Sequence, residues 1–295
     1  MIDTTKVLLS FGHGYSARAL GRLLLPQGWR IIGTTRSAEK AEALAAEGVE
    51  PILWPGGDIG PALSAATHLL TSIAPRDGRD PVLTRLRPAI TAAAPRIEWA
   101  GYLSTVGVYG DRQGGWVDET SGCRPATERG RHRLIAEQGW QALSIQADLP
   151  VHIFRIAGIY GPGRGPFAKI RAGTARRIIK PGQVFSRIHV EDIAAILAAS
   201  IARPEPGAIY NLCDDEAAPP EEVLAYAADL LGLPHPPEVP IEDAEMSEMA
   251  RSFYAESKRC SNRLIKEELG VALRYPTYRE GLQALLASET AGQPS

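Results

Sequence analysis

The sequence predicts an α/β protein, a doubly wound parallel sheet followed by a smaller, mixed C-terminal lobe. Three observations carry this. Short apolar runs alternate with stretches of helical period through the first half, a glycine turn joins the first run to the first helix, and beyond residue 160 the alternation gives way to Gly/Pro-rich segments.

The apolar runs are KVLLSF (6–11), RIIGTT (30–35), PILW (51–54), HLLTSIA (68–74), IEWAGYLST (97–105) and VHIFRIAG (151–158). Their nearly continuous hydrophobicity fits strands covered on both faces. Helices are expected between them at Ser16–Pro26, Ala38–Glu47, Val82–Ala94 and Arg129–Ala147. After the turn GPGRGPF (161–167), the spacing predicts a helix over 189–202, a strand over 209–213 that returns to the sheet, and a helix from Pro219 to Leu231. The proline-rich bridge LPHPPEVP (233–240) precedes two short helices around 258–269 and 277–287, and the tail SETAGQPS is expected to be unstructured. The organisation is thus a dinucleotide-type domain over 1–160 and an integrated, not independent, lobe over 161–290.

A formal net charge of −2 provides no basic surface for nucleic acid or an anionic membrane, so the expected partners are small molecules or a second copy of the chain. The N-terminal MIDTTKVLLSFGHG has no basic region before a long apolar run, and no apolar stretch is long enough to span a bilayer; a cytoplasmic location is expected. The three cysteines, Cys123, Cys213 and Cys260, are far apart and read as unpaired thiols, and the scattered histidines provide no metal site.

Gly12-His13-Gly14-Tyr15-Ser16-Ala17 follows the first strand directly and matches G-x-G-x-x-A. The first glycine permits a tight turn, the second lets backbone approach a pyrophosphate, and Ala17 lets the helix pack on the strand. Free amides at the helix N-terminus complete a phosphate site. At the end of the second strand, where an NAD site wants a carboxylate for the ribose 2′-hydroxyl, Thr34-Thr35-Arg36 offers hydroxyls and a guanidinium. NADP is therefore expected ahead of NAD, with Thr35 and Arg36 as contacts.

With LSTVGVYG (103–110), FRIAGIYGPGR (154–164), RIHVEDIAAIL (187–197) and IYNLCDDE (209–216) in that order, the chain resembles the extended short-chain dehydrogenase/reductases, the NAD-dependent epimerase/dehydratase family, from about residue 6 to 285. Its glycine turn departs from that family's usual G-x-x-G-x-x-G, which places it beside the atypical members. The resemblance implies that Thr105 bonds the reacting oxygen, with Ser104 beside it. Ser72, Ile73, Ala74 and Ile156 complete the expected cofactor contacts. Tyr109, Tyr160, Arg164 and Arg187 are candidates for the substrate side, and the helices over 82–94 and 129–147 for a homodimer interface.

One element breaks the pattern. Where the family carries Y-x-x-x-K, TERGRHRLIAEQ (127–138) places Arg129 at the tyrosine and Arg133 at the lysine. A guanidinium cannot shuttle protons near neutrality. Three explanations compete: Arg129 and Arg133 clamp an anion from one helix face; His132 serves as a substitute base; or the positions drifted after catalysis was lost. Two functions follow, an NAD(P)-dependent oxidoreductase or epimerase acting on a small polar metabolite, or a non-catalytic NADP-binding sensor of redox state or metabolite supply.

Overall fold

The computed structural model describes residues 5–291. Strands and helices alternate from the start: β1 (Val7–Phe11), α1 (Tyr15–Leu24), β2 (Arg30–Thr35), α2 (Ala38–Ala46), β3 (Glu50–Leu53), α3 (Gly60–Ala65), β4 (His68–Thr71), α4 (Pro81–Ala93) and β5 (Trp99–Thr105). A two-residue β6 (Trp116–Val117) interrupts the connection to the long α5 (Glu128–Ala147) and β7 (Val151–Ile156). The remainder comprises β8 (Gly158–Tyr160), α6 (Phe167–Arg171), β9 (Arg177–Ile179), β10 (Arg187–His189), α7 (Val190–Ala202), β11 (Ile209–Leu212) and α8 (Pro220–Leu231). It ends with β12 (Glu238–Pro240), α9 (Glu248–Tyr254), β13 (Arg259–Cys260), α10 (Arg263–Glu267) and α11 (Tyr278–Ala291).

Seven strands form one parallel sheet in the order β11-β7-β5-β4-β1-β2-β3. The chain winds from β1 out to β3 and then crosses back to β4. This reversal opens a crevice between the carboxyl ends of β1 and β4, where such sheets bind ligands. Leu20, Leu24, Ile193, Ile196 and Leu197 cover one face of the sheet. Val82, Ile90, Trp140 and Leu143 cover the other. The expected return of the strand near 209 is met, because β11 pairs with β7 at the sheet edge.

The later segments differ from the expected pattern. Residues 259–260 are a strand paired with β6, and the helix there is confined to α10. Three short parallel pairs, β8 with β10, β9 with β12 and β6 with β13, build the lobe. Strands of two or three residues leave no readable period of two, so long-range pairing alone decides them. Of the tail, residues 288–291 extend α11 and 292–295 lie outside the described residues, as do residues 1–4 of the N-terminal segment. Among the described residues no helix is long and apolar enough to cross a membrane.

Asp80 joins two helices on one face of the sheet. Its Oδ1 accepts from the amides of Val82 and Leu83 at the start of α4, and its Oδ2 accepts from Trp140 Nε1 of α5 at 3.1 Å. Truncation at Asp80→Ala removes the cap and strands a buried indole N–H. We expect it to lower stability by about 2 kcal/mol, read as a lower urea midpoint with unchanged slope.

Four histidines, His13, His68, His152 and His189, are buried, and loss of hydration pushes each down to about 4. Two of them act as acceptors and so require the neutral ring: His152 Nε2 takes Glu205 N at 2.9 Å, and His189 Nδ1 takes Glu191 N. Each binds its proton more readily in the unfolded chain, so stability is full above about pH 6.5 and falls as pH drops toward 4. Asp214, which burial pushes up to about 8, acts in the opposite sense over the same window. Replacing one ring, His68→Gln, should flatten the decline by at most roughly 1.4 kcal/mol per pH unit in urea titrations between pH 4 and 6.5.

Candidate functional site

The glycine turn is built from backbone. Gly12 has φ +76°, and a Cβ there would lie 2.7 Å from Ile73 Cγ1, so only glycine fits. Thr34 Oγ1 accepts from Gly12 N at 2.8 Å, Thr34 O accepts from His13 N at 2.9 Å, and the Ser72 hydroxyl donates to Gly12 O. The turn is thus tied to both neighbouring strands. Gly14 is the N-cap of α1 and brings no side-chain cap, so the first-turn amides remain free where Gly12, Gly14, Tyr15 and Ser16 line a cleft of about 730 Å³. Ala17 is buried beneath, packing the helix on the sheet.

His13 wedges this turn. Its ring lies against two glycines: a Cβ on Gly33 would come within 2.8 Å of His13 Cβ, and one on Gly21 within 3.3 Å of His13 Nε2. Arg36 is exposed just past the end of β2, and Thr35 Oγ1 takes Ser37 N at 3.5 Å. Neither lines the 730 Å³ cleft, nor do Ile73 and Ala74; Ile73 backs Gly12 and Ala74 belongs to a second hollow.

At the end of β5, Ser104 and Thr105 both line the cleft, as does Ile156 from β7. Thr105 Oγ1 accepts from Gly107 N at 3.2 Å, which engages a lone pair and leaves its proton for another partner. Ser104 donates to Glu137 at 2.5 Å, and Glu137 pairs with Arg155 at 2.8 Å inside the protein. Arg155 Nη1 donates to the Tyr109 hydroxyl at 3.0 Å, which in turn donates to Asn211 Oδ1 at 2.8 Å. Tyr109 is fully buried in this network and does not face the cleft.

The arginines of α5 go to separate partners around its N-terminus, where Thr127 Oγ1 caps Gly130 N at 3.1 Å. Arg131 Nη1 donates to Ala126 O, and the buried Arg133 donates to Leu103 O at 2.7 Å and to the Tyr102 hydroxyl at 3.2 Å. Arg129 stacks its guanidinium 5.5 Å from the Phe253 ring centre. The cleft walls and the nearby Arg133 and Arg164 push its pKa down. Arg129 and Arg133 both line the cleft, whereas His132 lies in the second hollow, 3.6 Å from Glu128, with Ala74, Arg76 and Asp77. The structure therefore brings Thr105 and the two arginines to one cleft, while His132 borders only the second hollow, which the same two arginines also line.

The opposite wall comes from the C-terminal segments. Arg164 stands over the Tyr15 ring at 5.7 Å, and Tyr160 lines the cleft with its hydroxyl held protonated by burial. Arg187 anchors one amino group on Phe185 O and Ala218 O at 2.8 and 3.1 Å. Near it Asp214 is buried. Burial pushes the Asp214 carboxyl up to about 8, against the pull of the Arg187 charge. Glu256 and Lys258 also line the wall, paired at 2.7 Å. Sequence reading passed over them, because a single E-x-K in a chain with no signature around it carries no signal until β13 docks.

A model of the NAD dependent epimerase/dehydratase family matches residues 89–213, which hold β5, α5, β7 and β11. Over nearly its whole length the chain is similar to a functionally unknown conserved protein from Silicibacter pomeroyi, at 60% identity and a TM-score of 0.91, covering 97% of this chain and 99% of that one. It is 29% identical over 236 residues to protein YeeZ of Escherichia coli K12, spanning 76% of this chain and 84% of YeeZ. UDP-glucuronic acid 4-epimerase from Bacillus cereus, solved with NAD, superposes with a TM-score of 0.77 at 15% identity, covering 97% of this chain and 99% of that one, a likeness of fold. The parallel sheet, the glycine turn at its switch point and the matched segment agree: residues 89–213 carry the NAD-dependent epimerase/dehydratase domain, within a fold like that of the solved epimerase.

Proposed function

We propose that the cleft holds a nicotinamide dinucleotide, NADP ahead of NAD, and that the protein is an oxidoreductase or epimerase acting on a small polar metabolite. One observation carries this: an uncapped helix N-terminus, behind a turn that admits no side chain at Gly12, opens on the same cleft as the Thr105 hydroxyl. These residues fit a dinucleotide. The amides of α1 would hold the pyrophosphate, and Ile156 and Ser104 would flank the nicotinamide half. The exposed Arg36 would meet a 2′-phosphate, since Thr34 is already spent on the turn and no carboxylate ends β2.

When bound, the nicotinamide supplies or accepts hydride at C4. The chain contributes position and polarity. Thr105, fixed by Gly107 N, donates to the substrate oxygen, and Arg129, Arg164 and Arg187 draw anionic groups into the cleft. The clamp expected between Arg129 and Arg133 is supported only for Arg129, because Arg133 is committed to Leu103 O. Small-molecule binding in the cytoplasm, with dimer formation through α4 and α5, completes the proposal.

A second reading, a non-catalytic NADP-binding sensor, is favoured by the same commitment: no proton-transferring side chain stands at positions 129 and 133. NADPH oxidation against a panel of aldehydes, ketones and nucleotide sugars separates the two. Turnover that falls about a hundredfold in Thr105→Ala supports the enzyme, and tight binding without turnover supports the sensor.

Two binding measurements test the cofactor. In Arg36→Ala the preference for NADPH over NADH should shrink about tenfold in a titration; equal affinities in the wild type would refute the NADP assignment. A methyl group on Gly14 meets nothing nearer than Gly12 O at 3.7 Å. Gly14→Ala should therefore keep the wild-type melting temperature while losing about tenfold or more in dinucleotide affinity, and unchanged affinity would count against the phosphate site.

A further inference from the structure

We propose that Arg129 and Arg164 close over the cofactor's diphosphate from opposite walls of the cleft. This rests on the dinucleotide reading above and gives the two arginines to the cofactor, leaving the substrate free of them.

Among the described residues five cationic side chains line the cleft, and three of them are committed. Arg133 donates to Leu103 O and the Tyr102 hydroxyl, Arg187 donates to Phe185 O and Ala218 O, and Lys258 pairs with Glu256 at 2.7 Å. Arg129 and Arg164 differ. Among the described residues neither finds a carboxylate or a carbonyl, and each rests on an aromatic ring instead. Their full donor sets are therefore left for a ligand.

Arg164 is carried by a fixed turn. Gly161 N donates to Arg164 O at 3.2 Å and Arg164 N to Gly161 O at 2.8 Å, while the Tyr15 hydroxyl donates to Pro162 O at 2.9 Å. The guanidinium thus stands 5.7 Å from the centre of the Tyr15 ring, over the first residue of α1. Arg129 enters from the other wall, in the first turn of α5, where the helix dipole already favours negative charge. Loss of hydration, then the charges of Arg133 and Arg164, push its pKa down. Like charges brought into range of one another with no carboxylate between them are relieved by an anion that both can reach. That anion lies against Tyr15, where the α1 amides would take the phosphates of a dinucleotide. A diphosphate has one phosphoryl group for each guanidinium, and each group offers the oxygen pair that the planar fork bonds.

Calorimetry at fixed ionic strength reads this contact with ADP-ribose, which carries the diphosphate without the nicotinamide or the 2′-phosphate. Both side chains are exposed, so Arg129→Gln and Arg164→Gln should keep the wild-type melting temperature. Each variant should bind ADP-ribose and NADPH about tenfold more weakly, and 2′-AMP, which has no diphosphate, within about twofold of the wild type. Wild-type affinity for ADP-ribose in either variant overturns the clamp, as does an equal loss for 2′-AMP, which would report only a weaker positive potential. If the variants keep ADP-ribose but bind inorganic pyrophosphate more weakly with NADPH saturating, the pair serves a substrate phosphate and the assignment to the cofactor fails. A wild type that binds neither NADPH nor ADP-ribose would instead remove the dinucleotide reading on which the assignment rests.

Discussion

The site depends on how the first βα turn is held. Hydrogen bonds from Thr34 and Ser72 fix the Gly12 peptide between β2 and β4, and the ring of His13 fills the space that Gly21 and Gly33 leave open. A turn tied on both sides cannot relax when a ligand approaches, so the α1 amides stay aimed at the switch point of the sheet without reorganisation at the moment of binding. The glycines and the small residues around them follow from that constraint. Each position where a side chain would intrude on the turn carries hydrogen.

A second constraint operates beneath the cleft floor. Glu137, Arg155, Tyr109, Asn211 and Ser104 form a buried polar network linking α5 to β5, β7 and β11. The network ties the carboxyl end of β5 to the helix that faces it. Arg133 adds a further tie through Leu103 O. The concentration of positive charge at the start of α5 is thereby resolved without a single ligand for all of it. Arg131 returns to its own helix entry, Arg133 braces the sheet, and Arg129 alone turns its charge to the cleft.

The C-terminal segments act as the cleft's outer wall and as part of the sheet at once. β11 closes the edge of the central sheet, and α7 packs on α1. The short pairs β8–β10 and β6–β13 carry Tyr160, Arg187 and Cys260 to the cleft. This wall of the cleft is therefore assembled from pieces far apart in the chain, each too short to hold its shape alone.

The alternation of apolar runs and helical stretches made the sheet, its parallel sense and its crossovers legible, because strands buried on both faces must be apolar throughout. The glycine turn was legible for a related reason: its sequence signature spans only six residues, although Thr34 and Ser72 hold it in place. Thr105 and Ser104 were readable from their place at a strand end, but whether their hydroxyls faced a ligand or a carboxylate was not. By itself the sequence determined the architecture, the first turn and the arginines at positions 129 and 133 of α5. Only tertiary structure decided that Tyr109 is buried, that His132 stands in a separate hollow, that Arg133 is spent on a carbonyl and that Glu256 and Lys258 reach the cleft. Those outcomes depend on which distant segment supplies each polar group's partner, and a sequence without its contacts does not contain that information.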